Sequence, residues 1–500
     1  MREKLKSEFL TAALLVASAL SIAGCAARRE PSAGAGAEMQ GASTAARELD
    51  ADEQARHALD RLAFGARPGD LDRVRAIGVD AWIARQLRPG RIAEGDADRL
   101  ADAVTASFDS PADVVRGVVP NGRGDSTARR LLRQRYAEAG RAVQSARIAR
   151  AVGSERQLQE TLVDLWANHF SVFGGKGPVR LYLAQYENEA IRPHVLGKFR
   201  DLLGAVAHSP AMLFYLDNWQ SAADSLHPTL AGTTGARSAG IGRGVARRGR
   251  PRRPQPAGAR RPRGLNENWA RELMELHTLG VDGGYTQRDV IEVARAFTGW
   301  SIAAPRDGGG FVFRPALHDA GEKHVLGQTI RAGGGEEDGE RVLDILARQP
   351  ATARMVATTL ARRLVSDDPP ASVVDRAADV FLKTDGDLRE VVRSIVTGPE
   401  FFSHAALRSK VKSPLELVVS ALRAAGIPAD STPRAARAIA KLGEPLYGHQ
   451  TPDGWPERST EWLSAGAVAD RVNFIAMLVA RPQITDSLRT LLESPDFQRR

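Results

Sequence analysis

Along most of this chain apolar residues return roughly every three or four positions, and that period constrains the fold more than any other feature. It runs through 158–173, 181–214, 269–279, 290–297, 342–347, 355–364, 373–382, 388–396, 415–424 and 472–480, so each segment reads as a helix with one buried stripe. Two shorter segments within 55–87 are split by Gly65-Ala66-Arg67-Pro68-Gly69, a turn. Helix starts agree with the pattern. Thr286 with Asp289, Asp387 with Glu390, and Ser413 with Pro414 and Glu416 each set a capping side chain ahead of an apolar run. Strand alternation is rare, with 311–313 and 325–330 the fair candidates. The predicted class is mostly α, a large multi-helix globular body with minor short strands and no repeat of fixed period.

A content of 43% apolar and 26% charged residues suits a folded chain. Its single cysteine, Cys25, excludes an intramolecular disulfide and any cysteine-built zinc or iron–sulfur centre. The position of that cysteine is informative. Arg2, Lys4 and Lys6 precede an uncharged run at 9–22, which is long enough for a signal sequence and short for a membrane span. The run ends in Ile22-Ala23-Gly24-Cys25, a lipobox in which the thiol is alkylated by diacylglycerol and becomes the new amino terminus. This resembles bacterial lipoprotein signals, and Ala26 after the cysteine resembles those sent to the outer membrane. The expected organisation is a lipoprotein signal at 1–25, a flexible tether at 26–52, a helical body at 53–480 and a tail at 481–500. Lipid attached to Cys25 makes the membrane the first expected partner.

Ten arginines lie between Ala236 and Gly264 with no acid among them, so they account for the whole net charge of +9. The rest of the chain is close to neutral. Dense in Gly, Pro and Ala, residues 225–264 read as a disordered insertion. A protein tethered outside the cytoplasm meets anionic glycans and lipid head groups rather than DNA, so these anions are the expected partners of the arginine-rich loop and nucleic acid is disfavoured.

Residues 266–280, Asn-Glu-Asn-Trp-Ala-Arg-Glu-Leu-Met-Glu-Leu-His-Thr-Leu-Gly, form a long and specific motif. With Trp166-Ala167-Asn168-His169-Phe170, Tyr215-Leu216-Asp217-Asn218, Gly284-Tyr285-Thr286-Gln287, Phe297-Thr298-Gly299-Trp300 and Pro452-Asp453-Gly454-Trp455-Pro456, the chain resembles the bacterial domain-of-unknown-function 1800 family from about 53 to 480. The arginine-rich insertion departs from that pattern. The resemblance implies a large, mainly helical bacterial envelope protein and carries over no reaction.

At about 100° per residue, Asn268, Glu272 and Glu275 fall within about 60° of one another on one helix face. Two carboxylates beside an amide suit a hard divalent cation, or a general acid/base pair if a neighbour separates their pKa values. His169 lies within the apolar stripe of its own helix, where an imidazole must be hydrogen-bonded or ligating. It is the expected nitrogen ligand. In a regular helix His277 lies about 140° from Glu272 and cannot join it. His318-Asp319 reads as part of an exposed loop able to carry acid/base groups. Trp455 in the Asp453-Gly454-Trp455-Pro456 turn can pack or stack on a sugar ring. HExxH, GxSxG, Walker and dinucleotide-binding fingerprints do not occur. The leading expectation is an outer-membrane lipoprotein acting in binding or assembly. Its alternative is a hydrolase of an envelope or extracellular polymer, dependent on a divalent metal or on the carboxylates, with catalytic residues drawn from Glu272, Glu275, His169, His318 and Asp319.

Overall fold

Every capping signal read from the sequence opens a helix. Thr286 and Asp289 form a reciprocal capping box before Gln287–Ala296, as do Ser413 and Glu416 before Pro414–Ala424. Asp387 accepts from the amides of Arg389 and Glu390 at the start of Leu388–Val396. These first-turn amides have no partner within the helix, so each cap satisfies donors that would otherwise be orphaned.

The computed structural model describes residues 47–108, 110–116, 118, 125–224, 227–230, 264–428 and 433–500. Cys25 with its lipobox, most of the tether and nearly all of the arginine-rich insertion lie outside the described residues. The body is mostly helical, with two small two-stranded sheets. Trp300–Ile302 pairs antiparallel with Phe311–Phe313, Trp300 opposite Phe313. Lys323–Val325 pairs antiparallel with Gln328–Ile330. The expected single strand at 325–330 is therefore a hairpin, because Leu326 and Gly327 adopt positive φ (48° and 76°) and turn the chain.

Two further segments differ from the sequence reading. The long pattern at 181–214 is broken into a π-helical turn at Tyr186–Ile191 and helices at Phe199–His208 and Pro210–Tyr215. Pro210 cannot continue a helix but suits the first position of a new one, capped here by Ser209. Residues 481–500, expected as a tail, are folded onto the body: Asp486–Glu493 is helical, Leu492 and Phe497 are buried, and Arg499 bridges to Val411. Its apolar pattern is too short for periodicity to reveal.

The described residues between 47 and 500 form one compact unit. Its main core gathers Trp166, Phe170, Phe199, Trp269, Phe297, Leu360 and Phe381. A second apolar cluster joins Phe64 and Ile148 to Leu415, Val419, Ile439, Ile475 and Leu492. Buried ions link elements of the two. Arg363, on Pro350–Leu364, donates to Asp164 Oδ2 at 2.7 Å and lies 3.1 Å from Glu416 Oε1 and 3.3 Å from Glu457 Oε2. Arg147 donates to the other oxygen of Asp164 at 2.7 Å, and Arg500 Nε stands 3.0 Å from Glu416. Burial opposes charge on Glu416, yet Arg500 and Arg363 hold it down at about 2. Glu444, buried and beside Asp164, is instead pushed up to about 8.

Among the described residues, no helix is long and apolar enough to cross a membrane.

Arg363→Met keeps much of the side-chain volume and removes the cation, leaving the buried carboxylates of Asp164 and Glu416 and the half-buried one of Glu457 short of a partner. A loss of about 3–5 kcal/mol is expected from urea unfolding of the variant; an unchanged midpoint would mean that the network contributes nothing to stability.

Candidate functional site

The helix Gln157–His169 ends where three of the quoted motifs meet. Asn168, in its last turn, clasps the backbone of Trp455 from both sides: Nδ2 donates to the Trp455 carbonyl at 2.7 Å and Oδ1 accepts from the Trp455 amide at 2.7 Å. Gly454 makes this approach possible. Its φ is +72°, and a Cβ there would stand 2.4 Å from the Asn168 carbonyl oxygen, so a side chain has neither the conformation nor the room.

The clasp fixes one wall of an open, polar cleft of about 360 Å³. The Gln157–His169 helix supplies Asn168 and His169, the Pro350–Leu364 helix supplies Thr359 and Arg362, and the loop after Tyr447 supplies His449, Asp453, Trp455, Glu457 and Glu461. Trp455 is half-buried, with the His449 ring edge-on to it at 4.6 Å. Burial pulls His169 down to about 4, so its imidazole is neutral at pH 7. Its Nε2 lies 3.3 Å from the His277 carbonyl oxygen.

The long motif at 266–280 stands behind Asp453. Asn266 caps the Glu267–Met274 helix through the Trp269 amide at 3.0 Å and donates to the Leu216 carbonyl at 2.8 Å. After Met274 the helix widens into one π-helical turn, Glu275–Leu279. The regular geometry assumed for His277 is therefore lost, and its ring is buried beside His169 (6.4 Å) and Phe170 (5.2 Å) with Nε2 unpartnered. Inserted π turns recur at functional sites.

Glu272 and Glu275 are half-buried on the other side of this helix, and Asn268 is exposed. Burial, followed by the negative charges of Glu275 and Asp453, raises the pKa of Glu272 above the usual carboxylate range. Tyr285 donates to Glu275 Oε2 at 3.1 Å. Tyr215 donates to the Gln450 carbonyl at 2.8 Å, and its phenol is raised by burial and by Glu272 and Asp453. Arg271 turns away to Gln287 at 2.8 Å. Among the described residues, no three His, Cys, Asp or Glu side chains are grouped so as to hold a metal ion. What the structure brings together is His169 with the loop carboxylates, and Glu272 with Glu275 and Asp453.

The expected exposure of His318 and Asp319 is overturned, since both are fully buried. His318 Nδ1 lies 2.7 Å from the Thr298 carbonyl and its Nε2 3.2 Å from Asp338. Asp319 accepts from Arg295 Nε at 2.8 Å, and Lys323 donates to Asp338 at 2.6 Å. The hairpin strand at Lys323–Val325 and the Glu336–Ala347 helix close over this network, which periodicity could not reveal.

Sequence reading missed Asp164 and Arg363, and also the cleft residues His449, Glu457, Glu461 and Arg362. For Arg363 a signal exists: it falls on the stripe of Val356 and Leu360, and a charge on an apolar stripe calls for a buried partner.

The motifs that meet in this cleft fall inside a single family match spanning residues 57–499. The chain belongs to the DUF1800 family, described as a protein of unknown function. No curated protein and no solved structure matches it. In this DUF1800 chain the match extends through the folded segment 481–499 as well as the three motifs around Asn168.

Asn168→Ala removes both halves of the clasp, and Gly454→Ala forces the turn off it. Both variants are expected to stay folded by circular dichroism while acrylamide quenches Trp455 fluorescence more strongly, read in a background where the other tryptophans are subtracted by Trp455→Phe. Unchanged quenching would mean that the loop is held by other contacts.

Proposed function

We propose that this DUF1800 chain is a bacterial envelope lipoprotein, anchored through diacylglycerol on Cys25 in the outer membrane, that binds a hydroxyl-rich glycan in the cleft beside Trp455. The observation that carries the reading is the cleft lining: a half-buried indole next to Asp453, Glu457 and Glu461, with a neutral imidazole at His169. An aromatic face packs on the C–H face of a sugar ring, and carboxylates accept hydrogen bonds from its hydroxyls. The Asn168 clasp prepares the geometry before the ligand arrives, which lowers the entropy lost on binding. A net-acidic lining disfavours an anionic ligand here. Anionic glycans and lipid head groups are assigned instead to the arginine-rich segment 236–264, where ten guanidinium groups lie without a nearby acid in sequence.

A second reading, a carboxylate-dependent hydrolase of an envelope polymer, is favoured by one observation. Glu272 has a raised pKa beside Glu275 and Asp453, the arrangement that lets one carboxyl donate a proton while its neighbour stays ionised.

Isothermal titration of the purified full chain with neutral oligosaccharides tests the binding reading. Saturable binding is expected, weakened roughly tenfold by Trp455→Ala and by Asp453→Asn. Equal affinity in both variants would exclude the cleft. Release of shortened sugars by the wild type, lost in a folded Glu272→Gln variant, would move the chain to the second reading.

A further inference from the structure

On the surface of the second apolar cluster lies a groove of about 230 Å³, bounded by the helices Pro414–Ala424, Arg434–Lys441 and Ala465–Val479. Its floor is hydrocarbon: Ile148, Val418, Leu422 and Leu478. Phe474 and Met477 stand along its side, and Met477 is left 60% exposed. An uncovered apolar surface of this kind marks a binding site more often than an accident of packing.

The charges at the groove decide the occupant. Among the described residues no carboxylate lines it, whereas Arg434 and Arg481 do. Both arginines are exposed, and neither makes an ion pair among the described residues. A planar guanidinium offers paired donors that match a carboxylate or phosphate edge, and here two of them stand beside a hydrocarbon trough. The complement is one molecule with a long apolar chain and an anionic head.

We propose that this groove binds a single-chain acyl amphiphile with an anionic head group, the acyl chain lying over Leu422 and Leu478 and the head group held by Arg434 and Arg481. The site is independent of the cleft beside Trp455 and shares no lining residue with it. It differs also from the arginine-rich segment, since it offers a trough for the chain as well as cations for the head. Ala435 and Ala438, both lining the groove, keep it open because they carry the smallest side chains able to sit on a helix. A larger residue at 438 would occupy the space of the acyl chain.

The test uses the full chain and palmitate below its micellar concentration, read by displacement of a fluorescent fatty acid. One saturable site per chain is expected. Replacing both exposed arginines, Arg434→Gln with Arg481→Gln, is expected to weaken palmitate roughly tenfold or more while leaving the neutral palmitamide unchanged. Ala438→Trp is expected to abolish binding of both, with circular dichroism unchanged. The proposal is overturned if palmitate does not saturate a site, if palmitate and palmitamide respond alike to the arginine changes, or if a folded Ala438→Trp binds as the wild type does. It is overturned equally if the chain sediments with anionic vesicles yet ignores monomeric palmitate, which would assign the face to a bilayer surface.

Discussion

One guanidinium, that of Arg363, reaches carboxylates from three separate parts of the chain: Asp164, Glu416 and Glu457. Buried charges of this kind are costly to desolvate, and their attraction offsets that cost only when each is well placed. The arrangement therefore demands one mutual position for the Gln157–His169, Pro350–Leu364 and Pro414–Ala424 helices. Those same elements link the main core to the second cluster. Two of them, with the loop that carries Glu457, are the walls of the polar cleft. The cleft is thus fixed from beneath by ion pairs and from the side by the Asn168 clasp.

How much of this was legible in the sequence follows from the range of the forces involved. Capping and amphipathic periodicity are local, so the helices opening after Thr286, Asp387 and Ser413 could be read directly. Leu326 and Gly327 turn a predicted strand into a hairpin through two backbone angles, which alternation does not encode. His169 was legible as an imidazole needing a partner, but that partner, the His277 carbonyl, depends on a π turn that no regular helical wheel contains. His318 and Asp319 misled because a polar pair after a strand candidate looks exposed until distant elements cover it. The ion network was the least legible. Its pairs join residues as far apart as Asp164 and Arg363, and only the charge on an apolar stripe pointed to it.

The two proposed ligand surfaces are opposites in chemistry. The cleft is net acidic, carries one indole and is held open by the hydrogen bonds of Asn168 to the Trp455 backbone, which suits hydroxyl groups. The groove is hydrocarbon, with two arginines that make no ion pair among the described residues, which suits an acyl anion. For a chain proposed to be lipid-anchored in the envelope, both ligand classes are at hand.

The most direct measurement is hydrogen–deuterium exchange of the full chain with and without neutral oligosaccharide. Slowed exchange is expected in 165–170, 355–363 and 449–461, the three segments that line the cleft, with the rest of the body unchanged. Exchange that stays the same in those segments, or slows only around 418–438 and 474–481, would contradict a glycan site beside Trp455.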